Sequence, residues 1–216
     1  MQGYDQLEIK VIRSTEAPGS VCKLACNHTM VAEPEEGLNA SPKLLKFLVR
    51  AEHTSVFEHC AITFMISGVS RSLMAQLTRS RMSSITCQSQ HYQDYEDVPT
   101  IVDPALLGDL VMSGALDNAY RAYEILREFG TAKEEARQVL PNAAAVNILW
   151  TVNARELMLF LRQRLCKRNV LEMRIFAECI RVSANLWWPE LFTLSGAPCV
   201  MDGKCNQGHM RSALCK

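Results

Sequence analysis

The chain has 216 residues, 48% of them hydrophobic and 21% charged, with 23 Lys+Arg balanced by 23 Asp+Glu. That composition excludes a mainly disordered chain and supplies enough apolar material for one domain-sized core. A net charge of zero argues against bulk binding of a nucleic-acid backbone, which needs a net basic surface.

In chain order, Leu7, Ile9 and Val11 alternate and predict a strand over 7–13. Ser41 is a candidate cap and Pro42 fits a first helical position. Leu44, Leu45, Leu48 and Val49 then form an apolar face, so 41–51 reads as a helix. Ile62, Phe64 and Ile66 alternate in a second strand over 57–68 that ends at Gly68, and a short helix follows over about 70–80. Residues 82–100 have little periodicity and read as an ordered loop with room for a short extended piece.

The second half is mostly helical. Leu106, Leu107, Leu110 and Val111, followed by Tyr120, Tyr123 and Leu126, predict a helix over 105–129 that stops at Gly130. Thr131 is a candidate cap for a helix that runs to Leu140 and ends at Pro141. Residues 143–152 are apolar and fit either a strand or a helix. Asn153 with Glu156 has capping-box spacing and opens a helix to about 166; Asn169 opens another over 170–188. The expected class is α+β in a single domain over 1–216, with a helical majority, a mixed or antiparallel sheet and an irregular tail over about 196–216.

No stretch approaches the roughly 18 apolar residues of a spanning helix. Met1–Asp5 has neither a basic nor an apolar leader region, so no signal peptide is expected. The nine cysteines are then expected to be reduced thiols in a cytoplasmic protein that does not engage membranes. Cys199, Cys205, His209 and Cys215 crowd the tail, but their spacings are not those of a zinc knuckle, and no metal is expected.

The 23 positive charges are 15 Arg and 8 Lys. Arginine suits bidentate capture of phosphate or carboxylate. From His59 to Gln93 there is no acid, while Arg71, Arg79 and Arg81 fall inside; from Leu157 to Leu171 there is again none, while Arg162, Arg164, Lys167 and Arg168 fall inside. Single arginines can pair with distant acids such as Glu134, Glu135 or Glu178, but two such clusters together point to a site for a phosphorylated small molecule. The run Arg79-Ser80-Arg81-Met82-Ser83-Ser84-Ile85-Thr86-Cys87-Gln88-Ser89-Gln90-His91-Tyr92 has no glycine, so it is neither a Walker loop nor a Rossmann fingerprint. Its hydroxyls, amides and guanidiniums suit a nucleotide held by side chains.

This run resembles the signature of the flavin-dependent thymidylate synthases (the ThyX type): Arg-His-Arg, two residues, Ser, one residue, Asn, two residues, Ser, one residue, Arg. Arg79, Arg81, Ser84 and Ser89 match it, while Ser80 replaces the His, Thr86 the Asn and His91 the final Arg. His53-Thr54-Ser55-Val56-Phe57-Glu58-His59, Ser70-Arg71-Ser72, the block 136–141 and the block 150–155 are similar to family segments in order and spacing, and Arg164 follows at the family distance. The resemblance covers about residues 45–190. It implies a homotetramer with active sites shared between subunits. It also implies methylation of C5 of a uracil nucleotide, with methylene-tetrahydrofolate as carbon donor, FAD as carrier of reducing equivalents and NADPH as reductant. Ser55, Arg79, Ser80, Arg81, Asn153, Ala154 and Arg155 fall on its flavin positions, as do Leu159 and Arg168, where Asn and His are usual. Gln76, Arg79, Cys87, Gln88, Ser89, Gln90, His91, Arg137 and Arg164 fall on its substrate positions. Arg164 matches the arginine held to polarise the pyrimidine and is the candidate catalytic group.

The resemblance needs no protein nucleophile. Cys87 reads as a small lining residue, for no base sits beside it, and Ser89 as a hydrogen-bonding group. His53 and His59 read as structural or flavin-proximal. With Cys87 where many members carry a larger polar residue, a 2′-hydroxyl fits, so UMP is expected as a substrate beside dUMP. The other readings are a catalytically silent paralogue that binds FAD and nucleotide, and an RNA-binding protein using the two basic segments.

Overall fold

A computed structural model describes residues 1–29, 40–93, 95, 98–193, 195–211 and 213–215. Of the loop expected over 82–100, residues 94, 96 and 97 lie outside these, as do 212 and 216 of the tail. The described chain is α+β with more helix than strand. It has one four-stranded antiparallel sheet, in the order β1 (Glu8–Ser14), β2 (Ala61–Ser70), β4 (Ala145–Asn153), β3 (Ser83–Cys87). Residues 143–152, ambiguous from sequence, form β4, and the short extended piece of the 82–100 loop is β3.

The helices are α1 (Pro18–Thr29), α2 (Pro42–Arg50), α3 (Arg71–Leu77), α4 (Leu110–Glu128), α5 (Lys133–Ala136), α6 (Ala154–Arg164), α7 (Leu171–Trp187), α8 (Pro189–Phe192) and α9 (Pro198–Met201). Several elements differ from expectation, the helix expected over 105–129 among them, which begins only at Leu110 after a 3-10 turn at Pro104–Leu106. α1 was not foreseen, because it opens on Pro18-Gly19 and its buried face carries Cys22, Cys26 and Asn27 rather than large aliphatics. The strand expected over 57–68 starts later, since Thr54–His59 is a 3-10 turn, and it runs through Gly68 to Ser70. Thr131 does not cap: α5 opens from Ala132 and gives way to a 3-10 turn at Arg137–Val139. Asn169 does not cap α7 either; its amide donates to the carbonyls of Gln163 (2.8 Å) and Cys166 (3.0 Å) and thereby closes the end of α6. The irregular tail contains α9 and a 3-10 turn at Gly208–Met210.

The chain gathers into two compact units. The first comprises 1–8, 65–79 and 85–149; the second comprises 9–64, 80–84 and 150–216. In the first, Tyr95, Tyr123, Ala136 and Ala144 form a buried cluster with Val98, Leu126, Val139 and Leu140 packed on it. Burial pushes the nearby Tyr120 hydroxyl up to about 12. Ser70 ends β2 and caps α3, its hydroxyl accepting the Leu73 N–H at 3.0 Å. In the second unit, Trp150 is fully buried against Phe64, Phe160 and Phe176, and the Trp188 indole N–H donates to the Thr15 carbonyl at 3.0 Å. No helix among the described residues is long and apolar enough to cross a membrane.

Gly68 has φ +71, and a Cβ there would lie 2.1 Å from the Gln6 carbonyl oxygen, whereas a Cβ at Gly130 (φ +81) would meet nothing within 4 Å. Gly68→Ala is expected to cost more than about 2 kcal/mol and Gly130→Ala only about 1 kcal/mol. Urea denaturation of the two variants beside the parent checks this; equal losses would show that the close approach of Gln6 contributes nothing.

Candidate active site

In the first unit, the structure brings Ser89, His91 and Arg137 together around Glu134. The His91 Nδ1 lies 3.2 Å from the Glu134 carboxylate, the Arg137 Nε donates to the Glu134 carbonyl at 3.1 Å, and the His91 N–H donates to the Ser89 hydroxyl at 3.1 Å. Gln88 is held by its N–H on the Asn147 carbonyl of β4 at 2.9 Å. Gln90 is buried, Cys87, Gln88 and Ser89 are half-buried, and Arg79 and His91 are exposed. Gln76 lies on α3. The expected substrate positions in this unit thus present amides, a hydroxyl, an imidazole and the Arg79 guanidinium, with Arg137 delivered by the 3-10 turn after α5.

The second unit holds most of the flavin positions. β4 passes into α6 without a loop: Asn153 is both the last residue of the strand and the cap of the helix, its side-chain oxygen accepting the Glu156 N–H at 2.9 Å. The Ala154 N–H donates to the Cys60 carbonyl at 2.8 Å, tying this start to the 3-10 turn that carries Ser55 and Glu58. Cys60 lies 3.9 Å (Sγ–Sγ) from Cys22; burial and the hydrogen bond to Cys60 push the Cys22 thiol up, and the same bond holds Cys60 below the usual thiol range. Glu156 does not complete a capping box. Its carboxylate instead accepts the Ser80 hydroxyl at 2.6 Å, and Ser83 donates to the Ser80 carbonyl at 2.7 Å. Arg155 pairs with Glu58. Arg81 and Leu159 are exposed.

A cavity of about 900 Å³ opens on this unit. α6 lines it with Arg155, Met158, Leu159 and Arg162, spaced i, i+3, i+4, i+7 on one helix face. Asn153, Glu156, Glu58 and Met82 add to that side. The lining also includes Arg50 at the end of α2, Glu52 and Thr54 after it, and Ser195, Gly196, Met201 and Asp202 near the C-terminus. α2 ends in a Schellman turn: the His53 N–H reaches the Leu48 carbonyl at 2.9 Å, the Glu52 N–H reaches that of Val49 at 3.3 Å, and Glu52 takes φ +59. Such a volume lies within the range of small-molecule sites, and a lining of guanidiniums, hydroxyls and apolar side chains fits a flavin nucleotide with anionic and apolar parts.

Two expected residues stand elsewhere. Arg168 turns to the tail, where it donates to the Gln207 side chain and lies 3.8 Å from the Met210 sulfur; it is not among the residues lining this cavity. Arg164, at the last turn of α6, is half-buried and donates to the Asn169 side chain at 3.4 Å. Sequence reasoning placed Arg162 in a basic cluster and Glu134 among possible partners without assigning either to a site, and it missed Glu58, Ser195 and Asp202. Glu58 lay within a quoted family segment; Ser195 and Asp202 carried no local signal. Among the described residues no group of three or more His, Cys, Asp or Glu side chains gathers as a metal site.

Comparison with known proteins places the chain in a family. Residues 10–190 match the family described as thymidylate synthase complementing protein. The flavin-dependent thymidylate synthase of Clostridium tetani is 32% identical over 94% of this chain and 92% of its own, and that of Geobacter sulfurreducens 34% identical over 94% and 93%. The chain belongs to the flavin-dependent thymidylate synthase family. A solved structure described as a UMP/dUMP methylase, PolB, from Streptomyces cacaoi bound with 5-Br dUMP is similar with a TM-score of 0.76 and 23% identity, covering 89% of this chain and 96% of that one; this likeness shows the fold.

Two substitutions separate a side-chain cap from a backbone effect beside this cavity. Asn153→Ala removes the cap of α6 and is expected to cost about 1 kcal/mol. Glu52→Gly relieves a left-handed backbone and is expected to gain up to about 1 kcal/mol. Chemical denaturation midpoints read both; a loss of stability in Glu52→Gly would show that the Glu52 side chain outweighs its backbone cost.

Proposed function

We infer that this protein is a flavin-dependent methyltransferase acting on C5 of a uracil nucleotide, dUMP and also UMP. It takes its carbon from methylene-tetrahydrofolate and its reducing equivalents from NADPH through FAD. The observation that carries the reading is the cavity of the second unit, lined by three of the family's flavin positions (Asn153, Arg155 and Leu159). Membership of a family whose relatives are named for thymidylate synthesis supports the same reaction.

In this reading Arg155 and Arg81 face the cofactor's pyrophosphate, Arg155 by leaving Glu58, and Ser55, Ser80, Asn153 and Ala154 supply neutral contacts. Bound FAD supplies the hydride that completes the methyl group. The nucleotide phosphate is taken by Arg79, Ser89, His91 and Arg137, with Gln76, Gln88 and Gln90 as further polar contacts. The Arg164 guanidinium donates to a uracil carbonyl, is oriented by Asn169, and stabilises the charge that develops as N3 loses its proton, which raises electron density at C5. Cys87, half-buried at the end of β3, leaves room beside the ribose for a 2′-hydroxyl. The name of the PolB methylase, a protein of the same fold, agrees with a substrate range that includes UMP. A cytoplasmic homotetramer with shared active sites completes the proposal.

The purified protein is expected to be yellow and to convert both dUMP and UMP when given FAD, NADPH and methylene-tetrahydrofolate. Arg164→Ala should lower kcat by about 100-fold or more with a smaller change in KM. Arg137→Ala should act mainly on nucleotide affinity, by about 10-fold. Product analysis decides. A yellow protein without methylated product would identify a silent paralogue, and a preference for dUMP above about 100-fold would remove UMP from the proposal.

A further inference from the structure

The family match ends at residue 190, yet the cavity does not. Ser195, Gly196, Met201 and Asp202 form part of its lining. This stretch is folded and packed. Ser195, Ala197 and Pro198 are buried, the Ser195 N–H donates to the Phe192 carbonyl at 3.1 Å, and the N–H groups of Val200, Met201 and Asp202 close α9 onto Ala197 and Pro198 at 2.8–3.0 Å. A Cβ on Gly196 would lie 3.0 Å from the Met201 sulfur, so Met201 packs directly over that glycine.

Two side chains give the stretch a chemical role. Ser195 is 8% exposed, and its hydroxyl is buried with no hydrogen-bond partner. Among the described buried polar atoms without partners, it is the one whose residue lines this cavity. A buried hydroxyl that neither gives nor accepts a hydrogen bond is disfavoured, and a ligand with a neutral polar edge relieves it. Asp202, at the end of α9, forms an ion pair with Arg162, which stands on the cavity face of α6 one turn beyond Leu159. Both partners are about half exposed, so the pair adds little to the stability of the fold as a whole. Its effect is local: it joins the C-terminal stretch to the helix that carries Arg155.

We propose that residues 195–202 are a cofactor-binding wall of this protein, in which the Ser195 hydroxyl hydrogen-bonds a neutral polar group of the bound flavin and the Asp202–Arg162 pair latches the wall against α6. Ser195 is a binding residue, and Asp202 is a positioning residue that acts through Arg162 and α9. The inference rests on the cavity being the flavin site.

The test is titration of the full-length protein with FAD, followed by flavin fluorescence, on the wild type and on Ser195→Ala, Asp202→Asn and Asp202→Glu, with thermal melting as a check of folding. The wild type is expected to bind. Ser195→Ala should raise the Kd about 3- to 10-fold, the worth of one hydrogen bond. Asp202→Asn should raise it about 3-fold or more with an unchanged melting temperature, and Asp202→Glu should restore it. A Kd within about twofold of wild type in both Ser195→Ala and Asp202→Asn overturns the wall while leaving the flavin site standing. Should Ser195→Ala fail to fold, Asp202→Asn alone decides, since its pair is exposed. A folded wild type that takes up no FAD overturns the reading of the cavity and this inference together.

Discussion

The contact on which the second unit depends is that of the Trp150 ring with its aromatic neighbours. It is fully buried, edge-on to Phe160 of α6 at 5.1 Å and tilted against Phe64 of β2 and Phe176 of α7 at 5.8 and 6.4 Å. Phe160 and Phe176 also meet edge to face at 6.1 Å. Rings of this size remove large apolar areas from water and prefer these offsets, and truncating such a residue costs about 3–5 kcal/mol. The cluster clamps β4 to α6 three residues before Asn153. The strand, the cap and the first turn of the helix therefore inherit one orientation, and Arg155 and Leu159 are aimed at the cavity by the core rather than by a loop.

What could be read from the sequence was what local chemistry decides. Ser41 with Pro42 and Asn153 fall where short-range capping places them and both cap their helices, while Glu156 turns to Ser80 instead of completing the box. The ambiguous stretch 143–152 was settled by its neighbours, because a strand with β2 on one side and β3 on the other is a tertiary fact. α1 stayed hidden because its buried face is made of Gly19, Cys22, Cys26 and Asn27, residues that do not announce an apolar stripe. Asn169 had the right type and place for a cap, but the carbonyls left open at the end of α6 were the stronger claim on its amide. Among the site residues, Arg79, Arg81, Arg162 and Arg164 stood out because acids are missing around them, and Arg155 through the family resemblance. Their partners did not, for Glu58 is 97 residues from Arg155 and Asp202 is 40 from Arg162. No window of sequence contains both ends of those pairs.

The same pairs explain how a chain of zero net charge carries arginines ready for an anion. Arg155 on Glu58 and Arg162 on Asp202 are each neutralised by an exposed carboxylate. Exposed pairs of this kind are weak and salt-sensitive, so at Arg155 a phosphate can replace the Glu58 carboxylate at small cost. The acid holds the guanidinium extended and correctly placed in the meantime, which lowers the ordering entropy left to be lost on binding.

The passages from β2 into α3 at Ser70 and from β4 into α6 at Asn153 contain no spare residue. A strand repeats every two residues and a helix turns about 100° per residue, so adding or removing a single residue at either passage would flip the strand register or swing the following helix by more than a quarter turn. Side-chain chemistry beyond these passages can drift, as Ser80 after α3 and Leu159 within α6 illustrate, while chain length at them cannot. Across relatives, insertions and deletions should therefore be absent from both passages and gather in the connections that precede α2 and α4.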